Sequence, residues 1–167
     1  SVIGQDPFDS NNDFIVTDDL KGFSVINTET NATFLIVSNE NDELTLSSQT
    51  VDNIFDAGGF INIDYTIPFS TCTDVDVYNS GLNESIFTLS SGYCYESRDN
   101  GDTWRILFDG LGLSSTTGKP TIKIAKFKVS GSNLYVISSS KTVGGLFVCP
   151  LTSSARVFTQ IVDSNSF

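Results

Sequence analysis

The chain has 167 residues, enough for one domain of ordinary size or two small ones built on a real apolar core. Its 9 Lys and Arg stand against 20 Asp and Glu, a formal net charge of −11 that argues against nucleic acid as a partner, because phosphate binding needs clustered cations. There is no His, which removes the commonest general base, the commonest metal ligand and every histidine-based triad.

Thirteen Phe, abundant Val, Ile and Thr, and no Met make a pool that suits strands rather than helices, so an all-β chain is expected. Charge is placed unevenly. Residues 1–97 hold 16 acidic side chains against Lys21 alone, whereas residues 98–167 hold 8 basic against 4 acidic, a step that points to two units. Cys72, Cys94 and Cys149 lack metal-ligand spacing and read as free thiols buried in strands, with a Cys72 to Cys94 bridge as the alternative. No apolar run is long enough to span a membrane as a helix. The sequons Asn31-Ala32-Thr33 and Asn83-Glu84-Ser85 would matter only in a secretory route.

Residues 1–12, SVIGQDPFDSNN, are polar with one Pro and one Gly and read as an extended arm. Over residues 13–66 the runs FIVTDDLKGFSVINTET, ATFLIVSNENDELTLSS and GGFINIDYTI are apolar stretches punctuated by polar and Gly-rich turns, the grammar of a meander. Phe34-Leu35-Ile36-Val37 is continuously apolar and reads as a central strand covered on both faces, while Leu44 and Leu46 alternate with Thr45 and Ser47 as a strand with one wet face does. Lys21-Gly22 and Gly58-Gly59 supply corners, so a small five-strand β-barrel or roll is expected over 13–66. In order, Asp-Leu-Lys-Gly22, Val25-Ile-Asn27-Thr28, Ala32-Thr33-Phe34, Leu44-Thr45-Leu46-Ser47 and Ile54-Phe55 with Gly58-Gly59-Phe60 resemble a small barrel module of tailed-bacteriophage structural proteins. The resemblance implies a role in attachment or spacing within a head fibre, tail fibre or decoration protein.

Over residues 67–167 the pattern repeats. Short strands at 74–78, 85–89, 92–96 and 103–107 are followed by a second set at 122–129, 133–137, 145–149 and 156–161, and Trp104 and Phe158 fall in equivalent places. Two four-stranded antiparallel units, 73–108 and 121–162, at a period near 50 read as propeller-blade-like. Lys119, Lys123, Lys126 and Lys128 in KPTIKIAKFK read as one solvated strand face, or as a docking strip for an acidic neighbour.

Between the third and fourth strands stands SRDNGDTW. Asp99 is suited to accept backbone N–H groups across the turn, Gly101 to take positive φ, Ser97 and Thr103 to tie the two stems, and Trp104 to plug the hairpin from beneath. At Ser97, Asp99, Gly101, Thr103 and Trp104 the stretch is similar to the Asp-box of propeller blades in sialidases and sortilin-type receptors, which implies a folding motif on the outer rim, with carbohydrate contact or weak cation binding by Asp99 and Asp102 as the alternatives. The second repeat has Pro150-Leu-Thr-Ser-Ser-Ala-Arg-Val-Phe158 there, without the Asp and the Gly.

A sialidase-like site needs three arginines around a substrate carboxylate, a Tyr nucleophile with a Glu, and an Asp acid. The chain has Arg98, Arg105 and Arg156 only, with Arg98 inside the box and Arg105 just after it, so neither is expected to face a propeller axis. Asp74 with Asp76, and Asp18 with Asp19, read as strand-face or turn residues. No catalytic residue, metal or cofactor is therefore assigned. Two blades leave open edges, because closure takes about four or more. The expected role is a non-enzymatic virion structural protein, assembled in the host cytoplasm, that meets other virion proteins or copies of itself and is a candidate for contact with a host-surface glycan. A secreted carbohydrate-binding module and a sialidase-like glycosidase fragment are the alternatives.

Overall fold

The computed structural model describes residues 20–27, 31–40, 43–47, 61–64, 71–81, 84–114, 119–140 and 144–163. Among them there are twelve strands and no helix. The chain divides into two compact units, Ser1–Tyr65 with Ser114–Lys119, and Thr66–Leu113 with Pro120–Phe167.

In the first unit, β1 (Ser24–Asn27), β2 (Thr33–Glu40), β3 (Glu43–Leu46) and β4 (Ile61–Asp64) form one antiparallel sheet in the order β3-β2-β1-β4. The continuous apolar run becomes β2, an interior strand. Adjacent residues of a strand point to opposite faces, and Leu35 and Ile36 are both buried, so each face of β2 is covered at this point. Val37 falls where the β2–β3 register shifts, which bends the strand. The expected five-strand barrel over 13–66 is not what the described strands make. They form an open sheet whose edges, β3 and β4, pair only inward, and no closed barrel is present among the described residues. The expected arm at 1–12 and the Gly58-Gly59 corner lie outside those residues.

The second unit holds two four-stranded antiparallel sheets. β5 (Asp74–Asn79), β6 (Glu84–Ser90), β7 (Tyr93–Ser97) and β8 (Arg105–Ile106) run in sequence order, as do β9 (Ile124–Ser130), β10 (Asn133–Ser138), β11 (Gly145–Pro150) and β12 (Thr159–Asp163). Register explains the shared core. Phe127, Val136 and Phe147 lie opposite one another across β9, β10 and β11, and Leu134 faces Cys149 in the next row. From the other sheet Tyr78, Phe87, Leu89 and Cys94 join them, with Leu107, Leu111, Leu151 and Phe158 from the connections. Each of these large side chains contributes roughly 1.5–3 kcal/mol by leaving water.

Backbone bonds stitch the two sheets. Ile124 N–H donates to Gly92 O at 2.8 Å and Phe158 N–H to Asp109 O at 2.9 Å. Asp76 of β5 accepts from Val129 N–H at 2.9 Å and from Lys128 Nζ at 2.8 Å, so it caps the β9 edge. Cys94 and Cys149 are free and buried, whereas Cys72, expected in a strand, precedes β5 and is exposed. On β9, Ile124 and Phe127 are buried while Lys126 and Lys128 face solvent, and Lys123 lies 3.4 Å over the Tyr93 ring.

Gly110 sits where the β8 exit crosses β12. Its φ is +80°, and an added Cβ would lie 1.9 Å from Phe158 O, the carbonyl of the residue whose N–H bonds Asp109. Gly110→Ala therefore strains the backbone and pushes the sheets apart. We expect a loss of about 3 kcal/mol in urea unfolding; a variant within about 0.5 kcal/mol of wild type contradicts this packing.

Candidate functional site

The five box residues meet in one hairpin between β7 and β8. Ser97 Oγ donates to Asp99 Oδ1 at 2.8 Å and accepts from Gly101 N–H at 2.8 Å. Asp99 Oδ1 also accepts from Thr103 N–H at 2.9 Å, and its Oδ2 from Thr103 Oγ1 at 2.5 Å. Trp104 Nε1–H donates to Gly101 O at 2.9 Å. Gly101 has a φ of +98°, outside the range that L side chains accept without cost, and Asn100 before it has +59°. Every named polar atom is thus used within the turn. Trp104, expected as a plug beneath the hairpin, is half-buried and tied to Gly101 by that bond. Burial acts to raise the Asp99 pKa, but the bonds from Thr103 and Ser97 outweigh it and hold the carboxyl below its ordinary 3.8.

The turn length sets the stems. With Ser97 to Trp104 spanning the loop, Glu96 of β7 falls opposite Arg105 of β8. Glu96 is buried, and it shares the inward face with Phe87, its partner on β6. Arg105 Nε and Nη2 donate to Glu96 Oε2 at 3.1 and 2.9 Å. Arg98 Nε reaches the same oxygen at 3.1 Å. Arg156, from the connection between β11 and β12, donates from Nε to Oε1 at 2.9 Å and brings Nη2 within 2.8 Å. All three arginines of the chain converge on one carboxylate.

These guanidiniums also hold the β11–β12 connection. Arg98 Nη2 donates to Ser154 O at 2.7 Å, Arg156 Nη1 donates to Ser153 O and, at 3.3 Å, to Leu151 O, and Arg156 Nη2 lies 3.5 Å from Ser85 Oγ. The cluster is therefore a clasp between the two sheets. Desolvation pushes the Glu96 pKa up, but Arg105, Arg98 and Arg156 together overcome it and leave the carboxyl below its ordinary 4.5. Burial acts to lower the Arg98 pKa below its ordinary value; Glu96 opposes this, and Arg105 and Arg156 add to it.

The box is legible in the sequence; the cluster as a whole is not. Its first half was legible, since Glu96 directly precedes the box and Arg105 directly follows it. Arg156 lies 60 residues from Glu96 and enters through packing alone. Among the described residues, no group of three or more His, Cys, Asp or Glu is placed to hold a metal ion. Comparison of the chain with models of known protein families, with curated proteins and with solved structures finds no match.

Glu96→Gln keeps the shape and removes the one negative charge, leaving the largely buried guanidiniums of Arg105 and Arg156, with Arg98 at the surface beside them, to repel one another. The expected cost is about 3–5 kcal/mol in chemical denaturation; a cost below about 1 kcal/mol would show that the cluster does not hold the sheets together. The same carboxyl sets an acid limit. Because it is more acidic in the folded chain than in the unfolded one, the unfolded state binds more protons as pH falls. Its contribution is complete above its ordinary 4.5 and is lost as pH drops through the lower folded value, as is that of Asp99 below 3.8. Unfolding midpoints measured from pH 6 to about pH 2 should fall steeply in wild type and less in Glu96→Gln.

Asp99→Ala unties Ser97 and Thr103, and Gly101→Ala forces a side chain into positive φ. Each should lower stability by about 1–3 kcal/mol, read from melting curves. Normal melting with loss of a bound glycan would reassign the box to ligand binding.

Proposed function

We propose that the chain is a non-enzymatic structural component of a tailed-phage virion, of head-fibre, tail-fibre or decoration type, that acts in assembly or surface attachment. The observation that carries this reading is the Glu96 cluster. A glycoside hydrolase of the sialidase kind needs its arginines free to clamp a substrate carboxylate, and here all three clamp an internal one. The box residues likewise bond to their own turn. Polar groups that would make a site thus serve architecture. A blade-like role for the two sheets of the second unit is supported by their shared facial core and by the bond from Val129 N–H to Asp76, which sets the first strand of one beside the first strand of the other.

Mass spectrometry and immunolabelling of purified phage particles test the assignment. The chain is expected in particles at a fixed ratio to other structural proteins. Finding it only in host extract, absent from particles, defeats the virion reading. Turnover of a fluorogenic sialoside, abolished by Arg156→Ala in a variant shown to fold, defeats the non-enzymatic one.

A further inference from the structure

The hairpin that carries the box requires positive φ at two residues in succession, Asn100 at +59° and Gly101 at +98°. Asn is among the side chains that tolerate the left-handed region best and Gly enters it without steric cost, so this backbone selects Asn-Gly. The same dipeptide is chemically labile. In an open chain the backbone nitrogen of the Gly, with no side chain to hinder it, attacks the side-chain carbonyl carbon of the Asn before it. No other Asn of this chain is followed by Gly.

In the folded hairpin the nucleophile is held. Gly101 N–H donates to Ser97 Oγ at 2.8 Å, and that hydroxyl is fixed in turn by donating to Asp99 Oδ1 at 2.8 Å. Trp104 Nε1–H fixes the next peptide group through Gly101 O at 2.9 Å. Ser97 is only 1% exposed, so water does not compete for this bond, whereas Asn100 itself is exposed. Ring closure must carry Gly101 N onto Asn100 Cγ, which requires the bond to Ser97 to break and the peptide group to turn.

We propose that Asn100 is a deamidation site that the folded hairpin keeps closed, with Ser97 as its lock. When the turn opens, hydroxide takes the proton of Gly101 N, this nitrogen bonds to Asn100 Cγ, the Cγ–Nδ2 bond breaks, and the amide nitrogen leaves with a proton as ammonia. Water then opens the succinimide ring at either carbonyl. Opening at the backbone carbonyl yields isoaspartate, whose main chain runs through Cγ and is longer by that carbon; opening at Cγ yields Asp. Both products place a new carboxylate next to Asp99, and isoaspartate also lengthens the loop that sets Glu96 opposite Arg105. Turn geometry thus demands the labile pair, and the turn's own hydrogen bond protects it. The inference is independent of the virion assignment.

The test ages the whole chain in mildly alkaline buffer at physiological temperature, once folded and once in concentrated guanidinium chloride. Trypsin cleavage after Arg98 and Arg105 releases Asp99–Arg105, in which mass spectrometry reads the change from amide to acid and chromatography separates the isoaspartyl form. The denatured chain should convert, and the folded wild type should convert at least roughly tenfold more slowly, because reaction must wait for local opening. Ser97→Ala should speed conversion of the folded chain by roughly tenfold, whereas Gly110→Ala, which weakens the same unit outside the box, should stay within about twofold of wild type. In Ser97→Ala the melting temperature should fall in step with the isoaspartate formed. Hydrogen exchange at the Gly101 amide of wild type reads the lock without any variant, and it should be slow. The proposal is overturned by a folded wild type that converts as fast as the denatured chain, by a denatured chain that does not convert, or by a Gly101 amide that exchanges at the open-chain rate. A folded Ser97→Ala chain no faster than wild type, or matched by Gly110→Ala, removes Ser97 as the lock, and unchanged melting after conversion removes the claimed effect on the loop.

Discussion

A buried carboxylate that cannot be left unpaired organises the second unit. Glu96 lies on the inward face of its sheet beside Phe87, where an isolated charge would be prohibitively costly. Three guanidiniums meet it from three directions: across the hairpin, from within the turn and from the other sheet. One negative charge does not neutralise three positive ones. The balance is met by dipoles, because Leu151, Ser153 and Ser154 turn their carbonyls toward Arg98 and Arg156. Such a cluster is a weak source of net stability, since desolvation offsets much of the attraction, but it tolerates few geometries. That selectivity is what fixes one sheet on the other at the β11–β12 connection.

The order of causes runs from the turn outward. Asp99 and Ser97 close an eight-residue loop, the loop length places Glu96 opposite Arg105, and this pair creates the anionic point that Arg156 must reach. Phe158, two residues beyond Arg156, then enters the core and bonds its N–H to Asp109 O, which Gly110 leaves room for. A local rule of turn chemistry thus propagates to the packing of two sheets.

This economy bears on function. Side chains best able to recognise a polar ligand are engaged internally, while the outward face of β9–β12 keeps aliphatic residues exposed. Under the assembly role proposed above, surfaces that pack matter more than groups that react.

Alternation of apolar residues and turn punctuation were enough to place the eight strands of the second unit, because a strand's period of two is a local property. The hairpin bonds of Asp99 and Ser97 were legible for the same reason, as all partners lie within eight residues. Strand ends were less so: β8 is confined to Arg105–Ile106 and β12 begins at Thr159, since pairing ends where a neighbour does. Closure of the first unit was misjudged, because runs of apolar residues announce strands but not which edges meet. The arginine cluster was half visible, Glu96 and Arg105 by hairpin register, while Arg156 belongs to a contact across 60 residues that no spacing encodes. The half-burial of Trp104 likewise follows from what packs around it, because burial is a property of the folded surroundings rather than of the residue.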